Sequence, residues 1–263
     1  MQAAPAVHDS GDASSSNALV PANNQNVTMP VLADHSVQPH EPGDEELSPG
    51  RVFNTQLYPY WFSSADIQTQ TGKWVYVSCP WGRTKCPCHK VYPYHVGRLM
   101  VSIAGVAVNS SPSSRGCTAL GVFYGRNNRH NIASLVQDKR HTAQSADLNA
   151  CIAALHRAVM IRDAPVHREC DTLCYPFKVL IIRSHSEYLV KGATEWLPKW
   201  KSSGWKNCSG QPVANDDLWR TLDSWITHLE QDMIIQFWHV PKEQNNMADG
   251  LARAVLKRWQ DGQ

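Results

Sequence analysis

Tryptophan and lysine alternate in the stretch EWLPKWKSSGWK, residues 195–206, and this combination of residue types has a chemical meaning. The residues concerned are Trp196, Lys199, Trp200, Lys201, Trp205 and Lys206. Lysines neutralise phosphates, and tryptophan rings stack on bases or sugars. The stretch therefore favours a surface that lies along a nucleic-acid strand. A half-buried helical hairpin whose tryptophans belong to the core accounts equally well for the same residues.

Soft metal ligands are concentrated in a second stretch, SCPWGRTKCPCHKVYPYH. They are Cys79, Cys86, Cys88, His89 and His95. Cysteines and histidines in a short span with prolines and a glycine can form a knuckle that zinc orders. The spacing is not a CxxC…CxxC pair, so a reduced extension stabilised by its loops is the alternative. A looser group of the same types lies downstream: His167, Cys170 and Cys174.

The charge is distributed unevenly, although the formal net charge is only +2. Residues 1–50 contain no Lys or Arg, and they carry seven of the 23 acidic residues, so a strongly basic remainder follows. A basic body suits a polyanionic partner, and an acidic tail could compete for the same surface or simply solvate the chain. We predict that this Ala-, Ser-, Asn- and Pro-rich tail is disordered, and it leaves room for a protein partner.

Neither a signal peptide nor a membrane-spanning segment is visible in the sequence, because no run is long and apolar enough. We therefore expect an intracellular protein, nuclear or cytoplasmic, without a membrane partner. Its eight cysteines would then be thiols or metal ligands rather than disulfides. The oligomeric state is left open.

Hydrophobic periodicity predicts strands and helices in a fixed order after an irregular module at 51–98. Two apolar strands begin at Leu99 and Cys117, and a weaker third lies within 131–141. A helix at 144–160, a buried strand at 179–182, helices, a strand at 233–239 and a closing helix at 244–259 follow. We expect Asn215 to cap the helix whose apolar stripe is Leu218, Leu222, Trp225 and Leu229. This order predicts an α/β fold with a mixed sheet flanked by helices.

Four segments, in the right order, resemble the motifs of type 1 ribonuclease H. VSIAGVAVNSS lies where the family has a strand ending in Asp-Gly, and HTAQSADLNACIAAL resembles its Thr-x-Gln-Arg-Ala-Glu-Leu helix start. EWLPKWKSSGWKNCSGQPVANDDLW is similar to the family's basic handle, and FWHVPKEQNNMADGLA to its closing motif. The Cys-x-Cys-His upstream resembles extensions of filamentous-fungal members. The resemblance implies a ribonuclease H-like domain at 99–259 with a five-stranded mixed sheet, after a tail at 1–50 and an extension at 51–98.

Members of this family hold two Mg²⁺ ions with four carboxylates, and the resemblance places only two carboxylates here. The first-strand Asp is replaced by Ala104 and the fourth-strand Asp by His185, within Ser-His-Ser instead of Thr-Asp-Ser. The helix Glu corresponds to Asp147, and the final Asp and the loop His are retained as Asp249 and His239. Because hard divalent ions need oxygen ligands, we predict that two-metal hydrolysis is impaired.

The residues that contact the nucleic acid in the family are only partly retained in this chain. Gln144 keeps one family contact, its neighbour Ser145 replaces the family's Arg, and the basic handle is intact. We therefore expect affinity for RNA/DNA hybrid or duplex nucleic acid. In the remnant site, His185 either neutralises the two remaining carboxylates as an imidazolium, joins a transition-metal site, or has no role.

Three functions stay open at this point. The first is a nucleic-acid-binding domain with a degenerate nuclease centre. The second is an active or weak ribonuclease H that uses Mg²⁺, or a site reused for other chemistry. The third is a protein-interaction scaffold. No cofactor is certain; structural zinc on Cys79, Cys86, Cys88 and His89 is an open expectation.

Overall fold

The computed structural model describes residues 50–85, 87, 90–108, 116–137, 139–164 and 176–262 of the chain. The acidic tail and the group His167, Cys170 and Cys174 lie outside the described residues. All described residues belong to one compact unit. None of the helices in this part of the chain combines the length and the apolar character needed to span a bilayer.

Five strands form the centre of a mixed sheet. They are β3 (Tyr94–Val108), β4 (Cys117–Phe123), β5 (Ile132–Leu135), β6 (Val179–Ser184) and β7 (Ile234–His239), counted after two strands of the extension described next. β3, β4 and β5 are antiparallel, whereas β6 runs parallel to β3 and β7 parallel to β6. β4 and β6 are buried along their whole length, as strands covered on both faces are.

The extension adds the hairpin β1 (Gln68–Thr71) and β2 (Trp74–Ser78), so the sheet has seven strands rather than the five expected. The physical reason is the length of β3, which begins at Tyr94 and not at Leu99. Its first half pairs with β2, and its second half pairs with β4. The division into an extension at 51–98 and a domain at 99–259 stays a prediction.

One face of the sheet is covered by α1 (Ala143–Arg162), α2 (Glu187–Lys191), α3 (Leu197–Ser202) and α4 (Asp216–Leu229). Apolar side chains such as Leu99, Ile182 and Trp219 fill this face without exposure to solvent. Thr142 begins α1 with a capping box, because its hydroxyl accepts a hydrogen bond from the Ser145 N–H at 3.1 Å. The position of α1 over the sheet is therefore well defined.

The other face is covered by α5 (Asn246–Asp261) together with the extension. Backbone hydrogen bonds tie Arg51 and Phe53 to Phe237 at the β7 edge, at 2.7 and 2.9 Å. Phe53 and Ile67 then pack against Met100 and other apolar residues of the sheet. Since β1 and β2 pair beyond β3, the extension reaches from the β7 edge across this face to the opposite side of the sheet.

Two expectations about α4 are wrong. Its buried residues are Trp219, Leu222, Ile226 and Leu229, so the buried stripe is centred one residue away from the expected one. Leu218 and Trp225 are only partly buried. Asn215 does precede α4, but it has a left-handed φ of 59° and its side chain makes no capping hydrogen bond. An apolar residue on each side of the stripe made both registers compatible with the sequence.

Candidate active site and the tryptophan–lysine segment

Four elements meet at the end of the sheet where β3 and β6 run parallel. The register pairs Ser102 with Arg183. Ala104 follows two residues later within β3, and His185 follows two residues later, directly after the end of β6. Asp147 is in the first turns of α1 and Asp249 in the first turn of α5. We call this group of residues the cleft.

Asp147 is the most deeply buried carboxylate of the cleft, with 5 % of its surface exposed. Its Oδ1 accepts a hydrogen bond from the Gly105 N–H at 2.8 Å. Burial raises the pKa of Asp147, while the hydrogen bonds from Gly105 and Ser186 and the neighbouring His185 oppose the rise. The negative charge of Asp249 adds to the rise. Asp147 and Asp249 are therefore close enough to influence each other electrostatically.

Gly105 makes this contact possible because β3 and α1 touch here. A Cβ atom at position 105 would lie 2.3 Å from the Ala146 carbonyl carbon and from the Asp147 nitrogen. Any side chain would push α1 away from the sheet and break the hydrogen bond to Asp147. The glycine that follows position 104 thus fixes the carboxylate in place.

His185 contacts the loop before α5 rather than a second acidic group. Its Nδ1 lies 3.4 Å from Asn245 Nδ2, and Asn245 Nδ2 also donates to the Ile103 carbonyl at 2.7 Å. His239, which is exposed, lies with Nε2 3.2 Å from the His185 carbonyl oxygen. Asn245 was not among the predicted site residues, although it stands inside the closing motif.

Asp249 is engaged by Arg253 one helical turn later, with 2.5 Å between Oδ2 and Nε. Ala104 is fully buried and packs in an apolar cluster with Met100 and Phe123. Asp147, His185, His239 and Asp249 thus gather at one end of the sheet as expected. Arg253, Ser186 and Gly105 complete the cleft and were not predicted.

The donor set does not fit a pair of magnesium ions. Mg²⁺ needs oxygen ligands in octahedral geometry, whereas position 104 offers none and position 185 offers an imidazole. The two remaining carboxylates are already engaged by Gly105 and Arg253. In the part of the chain that the structure describes, no three His, Cys, Asp or Glu side chains are placed to hold a metal ion together.

The tryptophans of the predicted binding stretch pack inward. Trp196 lies against Trp200 at 5.7 Å between ring centroids, and Trp200 lies against the fully buried Trp219 at 5.2 Å. Trp205 is covered by the Arg220 guanidinium at 4.5 Å. All three predicted tryptophans are half-buried. Through these contacts the tryptophans pack the segment against α4. A five-residue π-helical stretch, Gly192–Trp196, joins α2 to α3.

The lysines of the same stretch are exposed and differ in their pairing. Lys201 forms an ion pair with Asp223 at 2.8 Å. Among the described residues, Lys199 and Lys206 have no carboxylate partner. Gln144, in the first turn of α1, is also exposed. The side chains of Lys199, Lys206 and Gln144 are therefore exposed and available to an anionic ligand.

The expected zinc ligands are only partly described. Cys79 is buried with a free thiol, and its backbone N–H donates to the Pro93 carbonyl at 2.6 Å. Cys86, Cys88 and His89 lie outside the described residues, so the zinc site stays a prediction.

A sequence model of the RNase H family matches residues 105–257, more than half of the chain. Ribonuclease H from Cyanothece sp. is 32 % identical over 133 residues, covering 51 % of this chain and 74 % of the relative. Ribonuclease H from Pseudomonas aeruginosa (strain LESB58) is 45 % identical over 111 residues, covering 42 % of this chain and 64 % of the relative. The chain belongs to the type 1 ribonuclease H family and has its fold; this family normally uses Mg²⁺.

Solved structures resemble the same part of the chain. The foamy viral protease-reverse transcriptase in complex with RNA/DNA hybrid is 22 % identical with a TM-score of 0.43, covering 59 % of this chain and 19 % of that one. RNase H1 from the archaeon Halobacterium salinarum is 21 % identical with a TM-score of 0.38, covering 62 % of this chain and 99 % of that one.

Proposed function

We propose that this chain is a ribonuclease H-like domain that binds RNA/DNA hybrid or duplex nucleic acid and has lost two-metal hydrolysis. The observation that carries the proposal is the composition of the cleft, where Ala104 lies in β3 and His185 directly follows the neighbouring parallel strand β6. The scaffold around these positions, including the Gly105 contact to Asp147, is intact. A degenerate centre on a preserved scaffold fits binding without cleavage.

The chemistry of the cleft supports the loss of hydrolysis. Two metal ions activate water and stabilise the leaving oxygen of a phosphodiester only when oxygen ligands fix both ions. Position 104 supplies no ligand, and position 185 supplies a nitrogen. The family's Mg²⁺ therefore lacks its full set of ligands in this chain.

The exposed lysines support the binding half of the proposal. Lys199 and Lys206 are exposed on a segment whose tryptophans pack against one another and against Trp219. Phosphate contacts of this kind give salt-dependent affinity with little sequence preference. Gln144, at the start of α1, adds a polar contact on the same domain.

Restoring the carboxylates tests the loss of hydrolysis. With Mg²⁺ and a labelled RNA/DNA hybrid, we expect wild type to cleave no faster than the variant Asp249→Asn. The double variant Ala104→Asp/His185→Asp should cleave at least on the order of a hundredfold faster, because even outer-shell partners of a metal site contribute tenfold to a hundredfold. Adding Asp249→Asn to the double variant should abolish the gain. Wild-type cleavage at the rate of the double variant would contradict the proposal.

Fluorescence anisotropy with the same hybrid in EDTA tests binding separately from cleavage. We expect saturable binding by wild type and weaker binding by the double variant Lys199→Gln/Lys206→Gln. Lys257→Gln, an exposed lysine near the end of α5, is the matched control and should bind as wild type does. Absence of saturable wild-type binding would leave a protein-interaction scaffold as the better description.

Three further parts of the proposal rest on sequence. Structural zinc on Cys79, Cys86, Cys88 and His89, membership of the filamentous-fungal branch and a protein partner for the tail at 1–50 are supported by residue types alone. Elemental analysis of the purified full chain tests the zinc site. One equivalent of zinc, lost in Cys86→Ser/Cys88→Ser, is the expected result.

A further inference from the structure

A polar pocket lies on the face of the sheet that the extension covers. Its volume is about 380 Å³. It is bounded by β1 and β2, the middle of β3, the ends of β4 and β6, and the segment that leads into α5. The residues that matter for its chemistry are Gln68, Ser102, Arg126, Arg183, Gln244 and Asn245. We call it the arginine pocket. It exists only because the extension closes this side of the sheet.

Arg183 is the central group of the pocket. Only 3 % of its surface is exposed, and its guanidinium lies 5.0 Å from the Trp238 ring. One Nη atom donates to Gln68 Oε1, and the other donates to the Gln244 carbonyl at 2.8 Å. Its Nε is buried without a hydrogen-bond partner. One strong donor of a buried cation is thus unused.

The positive charge of Arg183 is not compensated by a carboxylate. Both of its partners are neutral amide groups, and no Asp or Glu is among the described residues that line the pocket. Burial alone lowers the pKa of Arg183 to about 10. Arg126 is exposed and adds a second positive charge at the rim of the pocket. Buried charges in proteins are normally paired, so an anion is the missing group.

A second buried atom without a hydrogen-bond partner indicates which other group the anionic ligand should carry. Asn245 is 1 % exposed, and its Oδ1 is buried without a donor. Ser102 lines the same space. A matching ligand presents anionic oxygens to Arg183 and also a hydroxyl donor to Asn245. A phosphate monoester with a sugar has both, and the volume suits a ligand of that size.

We propose that the arginine pocket binds the phosphate group of a nucleotide-sized phosphate monoester, with the phosphate on Arg183 and a hydroxyl on Asn245. The four residues of the cleft are not among those that line the pocket, and the proposal goes beyond hybrid binding by the tryptophan–lysine stretch, residues 195–206. Asn245 connects the two regions, because it lines the pocket and its Nδ2 contacts Ile103 and His185, while its Oδ1 is buried without a partner. Occupation of the pocket therefore fixes a side chain that touches the cleft.

An NMR titration of the ¹⁵N-labelled full chain tests the pocket without any substitution. Inorganic phosphate and 5′-AMP are added at constant ionic strength, with sodium chloride as the control. We expect saturable shifts at the backbone amides of Arg183, Gln244 and Asn245, with AMP saturating at lower concentration than phosphate. Shifts that do not saturate, or that are the same with chloride, would overturn the proposal.

Two variants localise the binding. Arg183→Met removes the charge at similar volume, whereas Ser102→Val retains both arginines and fills the floor of the pocket. Each should weaken AMP binding at least tenfold. Arg220→Met, on the far face beside Trp205, is the matched control and should bind AMP as wild type does. Unchanged AMP affinity in whichever of the two pocket variants is folded would contradict the assignment.

Competition identifies where the phosphate comes from. A short hybrid duplex that displaces AMP and shifts the same three amides identifies the phosphate as part of a bound strand. A duplex that binds without displacing AMP identifies a free small molecule. The Lys199→Gln/Lys206→Gln variant keeps AMP binding in the second case even if hybrid binding is lost, so failure of the proposed function is distinguishable from failure of the pocket.

Discussion

The two faces of the sheet bury different kinds of side chain. The face under α1 and α4 is filled by apolar residues such as Leu99, Ile182 and Trp219, and the polar strand residues buried on it, such as Thr118 and Ser184, carry only a hydroxyl. The face under α5 and the extension carries one buried polar residue on each of three neighbouring strands, namely Ser102, Arg183 and Gln236. Side chains alternate along a strand, so these polar residues share the face with Met100, Ile181 and Trp238. The first face makes the fold, and the second leaves polar groups for a ligand.

The largest expected effect belongs to the apolar face. Trp219→Ala removes a fully buried ring that packs on Trp200 and donates from Nε1 to the Tyr188 hydroxyl at 2.8 Å. We expect a loss of about 4 kcal/mol in the free energy of unfolding, measured by urea denaturation. Trp81→Ala, at a residue that is 63 % exposed, should change it by less than about 0.5 kcal/mol. Equal losses would remove the distinction between core and surface tryptophans.

On the face under α5 and the extension, we expect a substitution that raises the free energy of unfolding. Arg183→Met replaces an uncompensated buried charge by an apolar side chain of similar volume, and should raise the free energy of unfolding by about 2 kcal/mol in phosphate-free buffer. Arg51→Met is the contrast, because Arg51 forms two 2.7 Å hydrogen bonds with the Glu230 carboxylate near the surface. That variant should lose at most about 1 kcal/mol. A strong destabilisation by Arg183→Met would show that its charge is satisfied.

The cleft should show a smaller effect that depends on pH. Because burial raises the folded-state pKa of Asp147, the folded state holds its proton more tightly than the unfolded chain does. Stability therefore falls as pH rises from the unfolded pKa of about 4 through the folded value. Asp147→Asn should be more stable than wild type at pH 7, with the difference vanishing below about pH 4.

Asp163 provides the control for this pH dependence. The hydrogen bond from Arg162 lowers the pKa of the exposed Asp163, so the sign is reversed and Asp163→Asn should give no gain at pH 7. Urea titrations of both variants from pH 3.5 to pH 8 measure the two differences. A gain for Asp147→Asn that persists unchanged at pH 3.5 would show that burial of the charge is not its cause.

The smallest effect separates two neighbouring lysines. Lys199→Gln should lower the slope of log affinity for hybrid against log salt by about 1, as expected for one lost phosphate contact. Lys201→Gln should change it less, because Lys201 is paired with Asp223 at 2.8 Å. Fluorescence anisotropy titrations at salt concentrations between about 50 and 200 mM measure the slope for each of the two variants. Equal changes would mean that the ion pair opens on binding.

Local sequence patterns predicted the presence of the helices better than their buried faces. The helix expected at 144–160 is α1, Ala143–Arg162, which is rich in apolar residues along its whole length and is capped by Thr142. For α4 the pattern was ambiguous, since Leu218 and Trp219 are both apolar and so are Trp225 and Ile226. Tertiary packing, including that of Trp219 against Tyr188 and Trp200, selected Trp219 and Ile226.

Composition alone does not decide the role of the tryptophan–lysine stretch, residues 195–206. Its residue types fit both a binding surface and a packed hairpin. The structure separates the two by residue: the tryptophans are half-buried against one another and Trp219, whereas Lys199 and Lys206 are exposed. Composition cannot make this separation, because burial depends on neighbours from α4, which are distant in the chain.

The sequence by itself determined the family, because each motif is a run of neighbouring residues and needs no partner elsewhere in the chain. Only the tertiary structure decided that the extension adds two strands and closes a pocket around Arg183. That pocket joins Gln68 to a residue more than a hundred positions later. A buried arginine without a counter-charge is a property of the space around it, and a linear sequence does not contain that space.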